Sequence, residues 1–269
     1  MKMEQQPRVS VIILNYNGKQ FLETCLTSVF NTEYSNFEVV FVDNGSTDGS
    51  IDFVKERFSK NPRLKIIKNE ENLGFAEGNN VGVKYAKGDY IVFLNNDTEV
   101  DSNWLRELVK VMEFDQTIGA AQSKLLFADT RDKIWGIGEF MDYFGETSTK
   151  GWGEKNVEQY THVEEVFNAI GASMIISRRI FTEVGMFDPA FFIQHEDVDL
   201  GWRIWLTGHK IVFTPKSVVY HVGGGTLQKE IPSSFKTFFS EKNRITMMIK
   251  KLWLQESNQI RFRTYYYRH

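Results

Sequence analysis

The sequence predicts an α/β protein built on a mostly parallel sheet with helices on both faces. Two observations point there. Short apolar, β-branched runs alternate with amphipathic segments four times in succession, the pattern of strand–helix units around a buried parallel sheet. Polar residues (Asn15, Asp43 and Asp97) follow three of those runs, where open α/β sheets bind their ligands.

The elements can be justified in order. Val9 to Leu14 (VSVIIL) reads as a strand buried on both faces, and Lys19 to Phe30 as a helix. Phe37 to Val42 is the second strand; Ser46 is a candidate N-cap, with Thr47 to Phe58 the second helix. Leu64 to Ile67 is the third strand, and Glu77 to Ala86 a helix ended by Gly88. Tyr90 to Leu94 (YIVFL) is the fourth strand and Trp104 to Phe114 the fourth helix. Regularity then falls off. Phe127 to Glu164, rich in Gly, Trp, Asp and Lys, reads as a long excursion. Ser173 to Ile176 reads as a strand, Arg179 to Val184 as a short helix, and Asp197 to Leu206 as a helix closed by Gly208. Lys210 to Thr214 and Val218 to Tyr220 read as strands. Phe235 to Leu254 carries a helical stripe of Phe235, Phe238, Ile245, Ile249 and Leu252.

The 269 residues suit one large domain with a small appendage, and 42% hydrophobic residues suffice for a core. A net charge of −3 gives no reason to expect nucleic acid binding. The total hides an asymmetry. From Lys229 onward nine Lys/Arg face three Asp/Glu, a balance of +6, while the remainder carries 23 against 32, a balance of −9. An acidic body with a basic, aromatic tail implies an anionic or interfacial partner for the tail. One cysteine, Cys25, allows no internal disulfide and fits a reducing, cytoplasmic setting. The polar start lacks a signal-peptide core, and no apolar run approaches the ~20 residues that span a bilayer.

Four segments carry candidate chemistry. Asp43-Asn44-Gly45-Ser46-Thr47-Asp48 offers a strand-end carboxylate for a base or ribose, and equally a plain strand–turn–helix junction. Asn95-Asn96-Asp97 offers an acid for a divalent Mg²⁺ or Mn²⁺, with a diphosphate supplying further oxygens; a lone acid also simply begins a turn. Gln194-His195-Glu196-Asp197-Val198-Asp199 is the densest acidic cluster. It supplies either a general base or acids that complement a helix N-terminus. His221 precedes Gly223-Gly224-Gly225-Thr226, a run that can fold over a phosphate or act as a lid. Asn15-Tyr16-Asn17-Gly18 stands where a dinucleotide fingerprint would follow the first strand.

In series, VIILNYN (Val11 to Asn17), VDNGSTDGS (Val42 to Ser50), NLGFAEGNN (Asn72 to Asn80), FLNNDTEV (Phe93 to Val100), Gly171 to Asp188, HEDVDLGWR (His195 to Arg203) and YHVGGGT (Tyr220 to Thr226) resemble the family 2 glycosyltransferases. The likeness runs from about Val9 to Thr226 and is nearest to bacterial rhamnosyltransferase-like members that build surface polysaccharides. It implies a GT-A fold and an inverting, metal-dependent transfer from a dTDP- or UDP-linked sugar to a glycan or lipid-linked saccharide. A catalytically silent nucleotide-sugar-binding module of the same fold is the alternative. The resemblance assigns Asn15 and Asp43 to base and ribose, and places Asn17, Asn44, Gly74, Asn79, Asn80, Asn95 and Asn96 along the donor. It gives Asp97 and His221 to the metal and makes Asp197 the catalytic base, with Glu196 beside it. Two departures stand out: Asn95 replaces the first acid of the Asp-x-Asp element, and Gly78-Asn79-Asn80 replaces Ala-Arg-Asn, removing an arginine expected at donor phosphate. The Gly-Asn-Asn form points to the rhamnosyltransferase-like branch and a dTDP-linked donor.

The expected organisation is a catalytic domain over 1–228, with a nucleotide-binding half at about 9–125 and an acceptor half at about 126–228, followed by a tail over 229–269. The tail's stripe either packs on the body or lies on the inner face of the plasma membrane, with Lys250, Lys251, Arg261 and Arg263 near anionic lipid.

Overall fold

The computed structural model describes residues 6–223 and 233–258, with side chains in the final helix as far as Lys250. The N-terminal elements alternate: β1 (Val9–Asn15), α1 (Lys19–Phe30), β2 (Phe37–Asp43), α2 (Ser50–Phe58), β3 (Leu64–Lys68), α3 (Gly74–Tyr85), β4 (Tyr90–Asn95), β5 (Thr98–Val100) and α4 (Trp104–Phe114). The remainder comprises β6 (Ile118–Phe127), β7 (Ile134–Gly136), β8 (Glu139–Met141), β9 (Thr147–Thr149), β10 (Glu164–Glu165), β11 (Ser173–Ser177), α5 (Arg178–Glu183), a 3₁₀ turn (Pro189–Phe191), α6 (Glu196–Leu206), β12 (Lys210–His221) and α7 (Ser233–Asn258).

The main sheet runs in the order β10-β12-β6-β11-β4-β1-β2-β3. β1 pairs in parallel with both β2 and β4, and β2 with β3, so the strand order reverses between β1 and β4. A crevice opens outside the carboxyl ends of strands at such a switch point. β11 enters antiparallel beside β4, and β12 runs parallel to β6. The sheet is therefore mixed on one side and parallel on the other.

Period-two alternation within β1 explains the two-sided core. Val9, Val11 and Ile13 face Leu22, Leu26, Trp104 and Leu108 on one side. Ile12 faces Val83, Phe93, Phe187 and Ile204 on the other.

Several elements depart from the sequence reading. Ile118–Phe127 is a ten-residue strand, central to the sheet, that was not anticipated. Its Gly119, paired Ala120–Ala121 and polar Gln122-Ser123-Lys124 weaken the apolar signal, yet every residue from Ile118 to Leu126 is buried. The two expected strands within Lys210–His221 are one strand with an irregularity between Thr214 and Val218. α2 begins at Ser50 rather than Thr47, because Ser46 is drawn into the polar network described below. α3 begins at Gly74, three residues earlier than expected.

The final helix also differs. Its apolar stripe is expected to be either packed or laid on lipid, and the helix has one packed face and one exposed face. Met247 is fully buried with Phe191, Val198 and Trp202, which holds α7 against the body. Phe238, Ile245 and Ile249, in the stripe read from sequence, are 61%, 52% and 62% exposed. The side chains of Lys251 and Leu252, with Gly224, Gly225, Thr226, Arg261 and Arg263, lie outside the described residues.

Candidate active site

At the switch point, four predicted residues form one buried network. The Asn15 side-chain amide donates to Asp43 Oδ1 (3.2 Å) and Ser46 Oγ (3.1 Å), while its Oδ1 accepts from Asn96 Nδ2 (2.7 Å). The Ser46 amide donates to Asp43 Oδ2 (3.1 Å) and the Asn17 amide to Ser46 Oγ (3.0 Å). Gly18 is obligatory here, since a Cβ would stand 2.1 Å from Asn96 Nδ2. The network fixes three strand ends relative to one another and leaves Asp43 as its anchoring carboxylate.

Asp97 and His221 also meet. β12 delivers His221 against β5, and His221 Nε2 lies 3.1 Å from Asp97 Oδ1, with the Asn95 amide 3.3 Å from the same nitrogen. Both residues are nearly fully buried. Trp135 meets the imidazole edge-on at 4.6 Å and sets its plane. A hard carboxylate oxygen and an imidazole nitrogen aimed at one point suit Mg²⁺ or Mn²⁺. Among the described residues no third His, Cys, Asp or Glu completes the group.

The acidic cluster sits at the same end of the sheet. Asp197 Oδ2 accepts from the Gly171 amide (3.0 Å) and Oδ1 from the Val198 amide (2.8 Å). Gly171 precedes Ala172, whose carbonyl accepts from the Asn95 amide (3.0 Å), and Ser173 pairs with Leu94. Asp197 is thus tied to the strand end that carries the Asn95–Asp97 turn, although one hundred positions separate the two acids in the chain.

Glu196 and Glu139 complete a carboxyl trio. Burial chiefly, then the Asp197 charge, pushes Glu196 well above the usual carboxylate range. The same two causes push Glu139 up to about 8, against a hydrogen bond from Asn168. Burial raises Asp197, opposed by the Gly171 amide. Burial lowers His195, which stands before the helix. Glu196 Oε2 has no hydrogen-bond partner among the described residues, consistent with a protonated, sequestered acid.

The loop that presents Asp197 is strained and clamped. Phe192, Gln194 and His195 all adopt positive φ (55°, 69° and 67°), unusual for non-glycine residues. The Asn243 amide of α7 donates to the carbonyls of Phe191 (2.7 Å), Ile193 (2.8 Å) and Gln194 (2.7 Å). From the other side, the Phe75 amide at the start of α3 donates to the Phe192 carbonyl (2.6 Å). Gly74, at φ +78°, lets Phe192 approach; a Cβ would lie 2.5 Å from its ring.

Four residues that the resemblance places along the donor also make contacts within the protein. Asn44 bonds Asn69, Asn72, Leu73 and Gly74, so its amide secures the β3–α3 loop. Asn79 donates to the Phe75 carbonyl within its own helix (2.9 Å). Asn80 holds the Phe187 main chain through both its amide and its carbonyl (2.8 and 3.2 Å). Gly74 serves the base loop. Conversely, Glu139 and Asn243 escaped sequence reading. Glu139 lies in the irregular excursion. Asn243 sits between Phe239 and Met247 at four-residue spacing, a second stripe that the more obvious one masked.

Comparison with known proteins bears on this arrangement. The family model for Glycosyl transferase family 2 matches residues 10–185. The O-antigen biosynthesis protein RfbC of Myxococcus xanthus is 30% identical over 235 residues, covering 85% of this chain and 18% of that protein. The poly-beta-1,6-N-acetyl-D-glucosamine synthase of Staphylococcus epidermidis is 23% identical, covering 81% and 50%. The chain therefore spans between about a fifth and a half of these relatives. Among solved structures, GalNAc-T7 with UDP, GalNAc and Mn²⁺ superposes with a TM-score of 0.70 at 23% identity, over 81% of this chain and 44% of that one. S. aureus TarS with UDP-GlcNAc gives 0.59 at 20% identity, over 79% and 58%. The fold is that of the GT-A glycosyltransferases.

Proposed function

The chain belongs to glycosyl transferase family 2, and from that premise we propose that it moves a sugar from a dTDP- or UDP-linked donor to a hydroxyl of a glycan or lipid-linked saccharide, inverting the anomeric carbon, in cell-surface polysaccharide synthesis. The observation that carries this reading is the Asp197–Gly171–Ala172–Asn95 connection, which sets a raised carboxylate beside the strand end bearing Asp97 and His221.

The chemistry follows from what each group can do. The acceptor hydroxyl is a weak nucleophile, and Asp197 takes its proton as the oxygen attacks. The bond from the anomeric carbon to the diphosphate oxygen breaks, and that oxygen leaves with the electron pair. Asp43 and Asn15 hold the nucleoside at the switch point. Asp97 and His221 would hold Mg²⁺ or Mn²⁺, which supplies charge neutralisation to the diphosphate. Glu196 and Glu139, kept largely protonated, leave Asp197 as the member of the trio that carries the negative charge.

A thermal-shift panel of UDP-, GDP- and dTDP-sugars with Mn²⁺ tests the donor assignment, because a ligand that binds the native state raises Tm. One nucleotide class should stabilise the chain, turn over by hydrolysis or transfer, and lose turnover in EDTA. Full activity in the chelator removes the metal. No stabilisation by any donor removes the reading.

A further inference from the structure

α7 has two apolar faces, and only one is used. Phe239, Asn243 and Met247 turn inward, and Met247 is fully buried. Away from that face Phe238, Ile245 and Ile249 are 61%, 52% and 62% exposed, and Phe235, stacked on Phe239 at the edge, is 37% exposed. Surface helices of globular proteins ordinarily present a polar outer face. The patch continues onto a second element. The β8–β9 hairpin tip abuts α7 through a hydrogen bond from Arg244 to the Phe144 carbonyl, and it exposes Tyr143 and Phe144 by 68% and 74%. Exposed aromatic and aliphatic groups spread over two touching elements mark an interaction surface.

We propose that this face docks on an anionic lipid surface. Charge supports that occupant: the segment from Lys229 onward carries +6 against −9 for the rest of the chain. In a seam with a second copy, two tails of like charge would adjoin, whereas an anionic bilayer complements them. No described helix is long and apolar enough to cross a membrane, so the mode is interfacial. The inner face of the same helix holds the Asp197 loop through Asn243. Docking therefore sets that loop about one helix diameter, roughly 10 Å, from the lipid. A lipid-linked acceptor at that distance rests on the proposed transfer; the docking itself does not.

Vesicle flotation tests it, using phosphatidylcholine with and without phosphatidylglycerol, at low and high salt. The chain should float with the anionic vesicles and detach in salt. F238E/I249E and, on the separate hairpin, Y143S/F144S should each weaken partition by about tenfold or more. Donor hydrolysis by both variants should match the parent, which separates docking from catalysis. Equal flotation of parent and both variants, no flotation on anionic vesicles, or salt-insensitive binding overturns the proposal. So does a parent dimer in sedimentation velocity that F238E/I249E dissolves.

Discussion

Asn15, Asp43 and Asn96 each stand at or just past the end of a strand, and their side chains bond one another directly. Asp197 is held otherwise. It sits on a helix entered through three left-handed residues, and its loop is gripped by α3 on one side and by α7 on the other. The proposed donor side is therefore built by the sheet, whereas the side of the proposed base is built by remote helices acting on main-chain carbonyls. A sheet-built site is fixed by the core that fixes the sheet. A clamped loop carries strain, and positioning contacts far away in sequence maintain it.

The largest effect should come from the proposed base, Asp197. D197N keeps the shape and, through its one oxygen, the Gly171 contact in place of the Val198 one, but cannot accept a proton. Turnover should fall by ~10²–10⁴-fold, with nucleoside diphosphate affinity, measured by calorimetry, unchanged. An active D197N enzyme would move the base elsewhere, and lost nucleotide affinity would mean that the two sides are not separable.

This difference also governs what was legible in the sequence. Strand ends can be read, because an apolar β-branched run followed by a polar residue at a helix approach is a local signal. Asn15, Asp43, Asn96 and Asp97 are singled out that way, and His221 by its place after a strand; the structure brings the first three into one network and Asp97 against His221. Contacts made by remote main chain leave no local trace. The bond from Asn80 to the Phe187 main chain, 107 positions away, is one of these. The β6 strand was missed for a related reason. Buried Gln122 and Ser123 are satisfied by groups brought from elsewhere: Gln122 accepts from the Ile170 amide, and Ser123 bonds Ser173 and Ser217. They read as surface only when taken without those partners.

Asn243 offers the sharper test of the clamp. Removing its amide strands three carbonyls, each next to a left-handed residue. The loss of such buried partners costs about 1–3 kcal/mol. N243A should lower kcat by about tenfold through misplacement of Asp197, with donor KM within about twofold because the strand-end network is untouched. Steady-state kinetics separates the two constants. A fall in donor affinity equal to the fall in kcat would show that α7 supports the whole fold rather than the base loop.

The smallest effect concerns Glu139, and here the sign decides. Burial and Asp197 raise its folded value from 4.5 to about 8. A carboxyl raised on folding stabilises the native state while it is protonated. That contribution is complete below its ordinary value and is lost as pH rises through the folded value. Tm should therefore decline between about pH 4.5 and 8, the two values that bound this shift. E139Q is close in shape and uncharged, so it should flatten the decline and raise Tm at the alkaline end by about 2–4 °C. The acid limb of the turnover profile should stay in place, because Glu139 is protonated and uncharged while Asp197 titrates. A limb that moves down in E139Q would show that Glu139 carries charge in the range where Asp197 acts as the proposed base.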